Sequence, residues 1–163
     1  MLFFEAFINK IRPVNYLFLL LLSPTWLTAQ QETKFEIVNQ RNGLTSNSVS
    51  CILQDSTGFL WIGTGDGLNK YNGVSITPIR FSRTNNVISS ISNSYDNFIW
   101  VGTIGGGLIS YNTLLNEADT YIHEPANATS LSDNNISFTH QDRHGYVWVA
   151  TDNGGLDKLD PAK

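Results

Sequence analysis

A tryptophan-led segment occurs three times in this chain and constrains its fold more than any other feature. The copies are WIGTGDGLNKYN from Trp61, WVGTIGGGLISYN from Trp100 and WVATDNGGLDKLD from Trp148. Each has tryptophan, a β-branched residue, glycine or alanine, threonine, a glycine-rich turn and then Gly-Leu. The tryptophans stand 39 and 48 residues apart, a period that indicates one supersecondary unit per repeat of a propeller or solenoid.

We predict structural roles for the repeated residues. The tryptophan is large enough to fill the wedge between adjacent sheets, and glycine lets the backbone reverse with a positive φ. The positions concerned are Trp61, Gly63, Thr64, Gly67, Leu68, Trp100, Gly102, Thr103, Gly107, Leu108, Trp148, Thr151, Gly155 and Leu156.

The charge of the chain excludes one class of partner. Its 163 residues carry a formal net charge of −4, and no basic stripe is present that could neutralise phosphates. Nucleic-acid binding is therefore not expected.

Residues 1–29 resemble a secretory leader. Lys10 and Arg12 form a positive front, residues 16–22 form an apolar run, and Thr28-Ala29 offers a small-residue cleavage point. The apolar run is short for a membrane span. We predict a cleaved signal peptide and a periplasmic protein, with an uncleaved anchor as the alternative. Membrane contact is expected only through this leader or through regions downstream of the chain.

The remaining sequence, residues 30–163, reads as antiparallel β-structure. Short apolar-polar alternations are separated by turn residues, and no segment shows sustained helical periodicity. The predicted fold is all-β, an incomplete propeller of about three four-stranded blades. The predicted units are a strand at 34–40, a blade at 47–81, a blade at 86–123 and an incomplete blade at 134–160.

The motif WIGT-GDGL-NKYN, preceded by D-x-x-G-x-x-W, resembles the two-component regulator propeller repeat. Members of that family form the periplasmic sensor region of hybrid two-component systems, many from polysaccharide-degrading bacteria. The resemblance covers residues 35–160 and implies that residues 34–40 are the strand that closes the last blade. It also implies that kinase and phosphorelay regions stand elsewhere in an intact sensor, and that this chain is its opening, truncated before them.

Residues 55 and 142 invite comparison with the hairpin motif of sialidase propellers. The Asp-to-Gly interval is one residue longer here, and the arginine cluster and Tyr–Glu pair of such enzymes are not found. Sialidase-like catalysis is thus a weak alternative. We expect Asp55 and Asp142 to accept hydrogen bonds from turn amides.

The sequence predicts neither catalytic residues nor a cofactor or metal site. His140 precedes His144 by four residues on a strand, so the two side chains need not face one another. A zinc site requires more ligands at fixed spacing.

Loops at the ends of the propeller remain the candidate binding surface, because a rigid scaffold holds them in place. The candidate contacts are Tyr95, Asn97 and Asn127, since an aromatic face and carboxamides suit a sugar. Our leading hypothesis is a non-catalytic sensor segment that binds an oligosaccharide. The alternative is a secreted protein whose blades associate with those of other copies to close a ring.

Overall fold

The computed structural model describes residues 33–82, 86–93 and 97–162, so the predicted leader at 1–29 lies outside the described residues. The chain divides into two compact units, residues 1–36 and 37–163. Of the first unit only residues 33–36 are described, and they have no regular secondary structure. No helix among the described residues is long and apolar enough to cross a membrane.

The described residues of the second unit form three antiparallel sheets, with the strands of each sheet in chain order. The first sheet contains β1 (Val49–Gln54), β2 (Leu60–Thr64), β3 (Gly67–Tyr71) and β4 (Ile76–Ile79). The second contains β5 (Ile88–Asn93), β6 (Phe98–Thr103), β7 (Leu108–Asn112) and β8 (Glu117–Tyr121). The third contains β9 (Ile136–Gln141), β10 (Val147–Thr151) and β11 (Gly155–Leu159).

The three sheets pack side by side as blades, with β1, β5 and β9 as neighbouring innermost strands. Two hydrophobic cores lie between them. Trp61 is fully buried against Ile99 and Val101 of the second blade, and Trp100 is buried against Val147 and Val149 of the third. The prediction of an all-β, propeller-like fold is therefore confirmed, and Trp61 and Trp100 fill the space between neighbouring blades.

In the third blade, which no described element follows, the repeat residues are more exposed than their equivalents in the first two blades. Leu68 and Leu108 are 0% exposed, whereas the equivalent Leu156 is 64% exposed. Trp148 is half-buried, although Trp61 and Trp100 are buried. The repeat thus specifies a sheet with an apolar face, and the next blade provides the burial.

The repeated threonine and glycine close the turn between the second and third strands of each blade. Thr64, Thr103 and Thr151 donate side-chain hydrogen bonds to the carbonyls of the turn glycines, at 3.0, 2.7 and 3.1 Å. The accepting glycines, Gly67, Gly107 and Gly155, have φ values of 132°, 79° and 90°. Only glycine adopts such values without strain, so the repeated threonine and glycine together determine the conformation of this turn.

The glycine directly before the repeated threonine permits the neighbouring blades to approach closely. A Cβ on Gly63 would lie 2.7 Å from the Cγ2 of Ile88, and one on Gly102 would lie 2.7 Å from the Cγ2 of Ile136. The third repeat has Ala150 here, and Ala150 is half-exposed. The sequence difference between the copies matches the difference in packing.

The strand predicted at 34–40 is not formed. Residues 33–39 have no regular structure, and Gln40–Asn42 is a 3-10 helix capped by Asn39. The alternating pattern is present, but a strand requires a neighbour that exchanges backbone hydrogen bonds with it. None of the described strands pairs with this segment.

Candidate functional site

In the first and third blades, an aspartate accepts the hydrogen bonds that close the turn between the first and second strands. The Oδ1 atom of Asp55 accepts hydrogen bonds from the backbone amides of Thr57 and Phe59, at 2.9 and 3.1 Å. Its Oδ2 accepts one from the indole Nε1 of Trp61, at 2.8 Å. The carboxylate therefore closes the hairpin and orients the tryptophan.

Asp142 repeats this arrangement in the third blade. It accepts from the amides of His144 and Tyr146, at 2.8 and 3.1 Å, and from the indole of Trp148, at 2.9 Å. The predicted turn-amide role of both aspartates is confirmed. The indole contact was not predicted, although the constant interval of six residues from aspartate to tryptophan is visible in the sequence.

These hydrogen bonds lower the pKa of both carboxyl groups. For Asp55, burial raises the pKa, but the hydrogen bonds from Thr57, Trp61 and Phe59 together outweigh it. For Asp142, the hydrogen bond from the indole of Trp148 is the largest cause of the lowered pKa. Burial, the next largest effect, raises the pKa, and the hydrogen bonds from the turn amides lower it further. Both groups are thus held as carboxylates in structural roles.

The hairpin turns surround a cleft of about 370 Å³, which we call the hairpin-end cleft. All three blades contribute to it, since β1, β5 and β9 end there. Its lining residues are Asp55, Ser56, Thr57, Ser92, Asn93, Asn97, Phe98, Ile99, Thr113, His140 and Gln141. Hydroxyl and carboxamide groups dominate this lining, and none of its described residues is lysine or arginine.

Two buried polar atoms in this cleft have no hydrogen-bond partner among the described residues. They are the Oγ of Ser92 and the Oε1 of Gln141. The Nε2 of Gln141 is engaged, because it donates to the carbonyl of Gly145 at 2.9 Å. Buried polar atoms are normally hydrogen-bonded, so a side-chain rotation that brings either atom to the cleft and into contact with a bound hydroxyl group would be favourable.

Asn97 is the one predicted ligand contact that the structure places at this cleft. It is exposed, has a φ of 57°, and its carbonyl accepts hydrogen bonds from the amide and hydroxyl of Thr113 at 2.9 and 2.8 Å. Its backbone is therefore fixed by the next turn of the blade. Tyr95, the aromatic residue predicted beside it, lies outside the described residues.

Asn127 lies at the opposite end of the blades, in the loop that leads into β9. It lines a second cavity of about 570 Å³ together with residues of β8 and β11. Its Oδ1 accepts from the amide and hydroxyl of Thr129, at 3.1 and 2.7 Å, and its Nδ2 donates to Glu124 at 3.3 Å. These contacts order the loop, and the structure does not bring Asn127 and Asn97 together.

The carboxamides at the ends of the innermost strands were not predicted from the sequence. Gln54, Asn93 and Gln141 are the last residues of β1, β5 and β9, and each stands seven residues before a repeat tryptophan. That constant interval could have identified these three residues as equivalent positions of the repeat. The three strand ends meet at one end of the propeller, where Asn93 donates to the carbonyl of Gln54 at 3.4 Å.

The histidines do not form a metal cluster in the part of the chain that the structure describes. His140 lines the hairpin-end cleft, and the exposed side chain of His144 lies 4.0 Å from Asp142. Nowhere among the described residues do three histidine, cysteine, aspartate or glutamate side chains converge as metal ligands.

Comparison with known proteins connects this architecture to one family. The model of the two-component regulator propeller family matches residues 43–66 and 130–153, which include parts of the first and third repeats. No curated protein matches the chain.

Two solved structures share the fold over most of this chain. The extracellular domain of a hybrid two-component system from B. thetaiotaomicron is 28% identical, with a TM-score of 0.71, over 78% of this chain and 19% of that one. A virginiamycin B lyase from Staphylococcus aureus is 14% identical, with a TM-score of 0.54, over 78% of this chain and 44% of that one. The second likeness shows the fold alone. The chain spans about a fifth of the length of the sensor domain that it resembles.

Proposed function

The chain carries two-component regulator propeller repeats, and from this premise we propose that it is a ligand-sensing segment in the periplasmic part of a two-component sensor. The observation that carries the proposal is the 28% identity and TM-score of 0.71 to an extracellular sensor domain. The segment acts by binding and not by catalysis. Kinase output belongs to other regions of such a system.

The hairpin-end cleft is the proposed binding site. A ligand that contacts all three blades can shift their arrangement if it binds one arrangement more tightly than another. The carboxylate of Asp55 is already occupied by amide and indole donors, so it is a fixed wall of the cleft. Ser92, Asn93 and Gln141 supply the polar groups that can contact a ligand.

We propose a neutral oligosaccharide as the ligand class. Hydroxyl and carboxamide groups both donate and accept hydrogen bonds, which matches the hydroxyl groups of a sugar. Phe98 adds an aromatic surface at the same cleft. The described lining residues include no lysine or arginine, the side chains that most favour a phosphate or carboxylate ligand, and His140 is their one imidazole.

Calorimetric titration of the protein with a panel of neutral oligosaccharides at millimolar concentration tests this proposal. Ser92→Ala is the informative variant, because the hydroxyl it removes has no partner among the described residues. We expect Ser92→Ala to keep the melting temperature of the wild type and to lose about three- to tenfold in affinity, the effect of one hydrogen bond.

Asn127→Ala is the matched control, since Asn127 lies at the other end of the blades and lines the other cavity. Its affinity for the sugar should equal that of the wild type. Loss of binding in Asn127→Ala with full binding in Ser92→Ala would place the site elsewhere. Failure of every oligosaccharide in the panel to bind would refute the ligand class.

A further inference from the structure

A lysine ammonium lies over aromatic rings in the first and third blades. In the first blade, the Nζ atom of Lys70 is 4.1 Å from the ring centroid of Phe59 and 5.1 Å from that of Trp61. The third blade repeats this contact, with the Nζ of Lys158 at 3.6 Å from the ring centroid of Tyr146. A cation is attracted to the face of an aromatic ring, because that face carries partial negative charge. Each of these two blades therefore supplies a cation to its own rings.

The second blade has the same aromatic pair but no lysine beside it. Phe98 and Trp100 form the pair, two residues apart as in the other blades. Ser110 is directly opposite Trp100 on β7, the position that Lys70 has opposite Trp61 on β3. Phe98, Trp100 and Ser110 line a cavity of about 480 Å³ between the second and third blades, which we call the aromatic cavity. The short serine side chain thus leaves open the space that a lysine occupies in the other two blades.

Two residues of the outer strand β8 also differ from their equivalents in the first blade. The pairing of the strands places Asp119 at the position of Thr77, and Tyr121 at the position of Ile79. Both residues line the aromatic cavity, and the ring centroid of Tyr121 is 6.0 Å from that of Trp100. Compared with the first blade, the second has therefore lost an ammonium group and gained a carboxylate and an aromatic ring.

The charges around the aromatic cavity favour a cation. Its described lining residues include the carboxylates of Asp119 and Asp160 and no lysine or arginine. His144 is the one imidazole among them. The two salt bridges formed within the described part of the chain do not include Asp119. A ligand ammonium in the cavity would therefore meet a carboxylate that no described basic side chain neutralises.

We propose that the aromatic cavity binds the primary ammonium group of a small organic amine. The ammonium lies over the ring of Phe98, as the ammonium of Lys70 lies over Phe59, and the carboxylate of Asp119 supplies the opposite charge. A volume of about 480 Å³ is within the range of small-molecule sites. The cavity borders the hairpin-end cleft and shares Phe98 and Gln141 with it, but its charge selects a different ligand class. This second site goes beyond the proposed function.

Titration of the ¹⁵N-labelled full chain with n-butylammonium, which reproduces a lysine side chain, tests this proposal by NMR. The titration is made at constant chloride concentration and at pH 8, where imidazole side chains are ordinarily neutral. We expect the indole N–H resonance of Trp100 to shift to saturation with a dissociation constant in the millimolar range, as suits a ligand of this size. The resonances of Trp61 and Trp148 should stay in place, because Lys70 and Lys158 already lie over those rings. Neutral n-butanol should not shift the Trp100 resonance.

Substitutions on β8 separate the local carboxylate from the net charge of the protein. Asp119→Asn should weaken n-butylammonium binding about two- to fivefold, the effect of an exposed ion pair. Glu117→Gln is the matched control, since it removes the same charge from the same strand and Glu117 does not line the cavity. Its affinity should equal that of the wild type. Ser110→Lys restores the lysine of the other blades, so it should fill the cavity and abolish the shift of the Trp100 resonance.

Three results would overturn the proposal. They are a Trp100 resonance that n-butylammonium does not shift, an equal shift with n-butanol, and equal weakening by Asp119→Asn and Glu117→Gln. Asp119→Asn still decides the matter if Ser110→Lys fails to fold, because Asp119 is exposed on an outer strand. Asp119 and Ser110 do not line the hairpin-end cleft, and Ser92 does not line the aromatic cavity. This inference and the proposed function can therefore fail separately.

Discussion

The indole nitrogen of Trp61 donates a hydrogen bond of 2.8 Å to the carboxylate of Asp55. This single contact joins the turn of a hairpin to the side chain that fills the space between two blades. The same pair recurs as Asp142 and Trp148, at 2.9 Å. Turn geometry and inter-blade packing are therefore set together in these repeats.

Removing the aspartate should destabilise the first blade more than the third. Asp55→Ala leaves the buried Trp61 indole and two turn amides without acceptors, which should cost about 1–3 kcal/mol of unfolding free energy. Asp142→Ala should cost less, because Trp148 is half-buried and water can replace the carboxylate. Urea denaturation of the two variants measures both values. An equal loss in each would contradict the packing difference.

The stability contributed by Asp55 should depend on pH. Its folded-state pKa lies below the ordinary value of 3.8, because hydrogen bonds outweigh the opposing effect of burial. A lowered pKa stabilises the fold above pH 3.8, and this contribution is lost as the pH falls through the folded-state value.

Melting curves of the wild type and Asp55→Asn measure this effect. Asparagine cannot accept from the Trp61 indole with its amide nitrogen, so the variant should melt lower at neutral pH. The difference in melting temperature should narrow below pH 3.8, where the wild-type carboxylate becomes protonated. A difference that stays constant with pH would refute the assignment.

A methyl group at Gly63 should separate the first two blades. The added Cβ would lie 2.5 Å from the Sγ of Cys51 and 2.7 Å from the Cγ2 of Ile88, so Gly63→Ala should cost about 1–3 kcal/mol by overpacking. Ala150→Gly, at the equivalent half-exposed position, should change stability by no more than about 1 kcal/mol. Thermal unfolding of both variants measures the two changes in stability. The two changes should be equally small if the first and second blades do not touch at Gly63.

The thiol of Cys51 should react slowly in the native protein. Burial raises its pKa, although hydrogen bonds from Ser50 and Gly63 act in the opposite direction. Less thiolate and poor access should make modification by a thiol reagent at pH 8 about tenfold slower, or more, than in denaturant. Stopped-flow absorbance measures the two rates. Equal rates would show that β1 is not packed as described.

Much of the fold was predictable because the repeated residues determine turns and strands through contacts that are local in the sequence. The all-β fold was predicted from short alternations and turn residues, and the glycine of each turn was predicted to have a positive φ. Aspartate in the hairpin turn was predicted to accept amide hydrogen bonds. Each of these depends on residues within about ten positions of one another.

The candidate site was predictable only in part. Asn97 was selected from its loop and lies at the hairpin-end cleft, but Asn127 was selected by the same reasoning and is occupied by contacts within its own loop. Ser92 and Gln141 were missed because they belong to different repeats. Their proximity depends on how the second and third blades pack.

The sequence by itself determined the three sheets, their strand order and their turns, since alternation, glycine and the repeated tryptophan act over short distances. Only the tertiary structure decided which of those tryptophans are buried, because burial needs a neighbouring blade. For the same reason residues 34–40 did not become a strand despite their alternating pattern. Strand pairing is a contact between distant segments, and a pattern in one segment cannot supply the partner's hydrogen bonds.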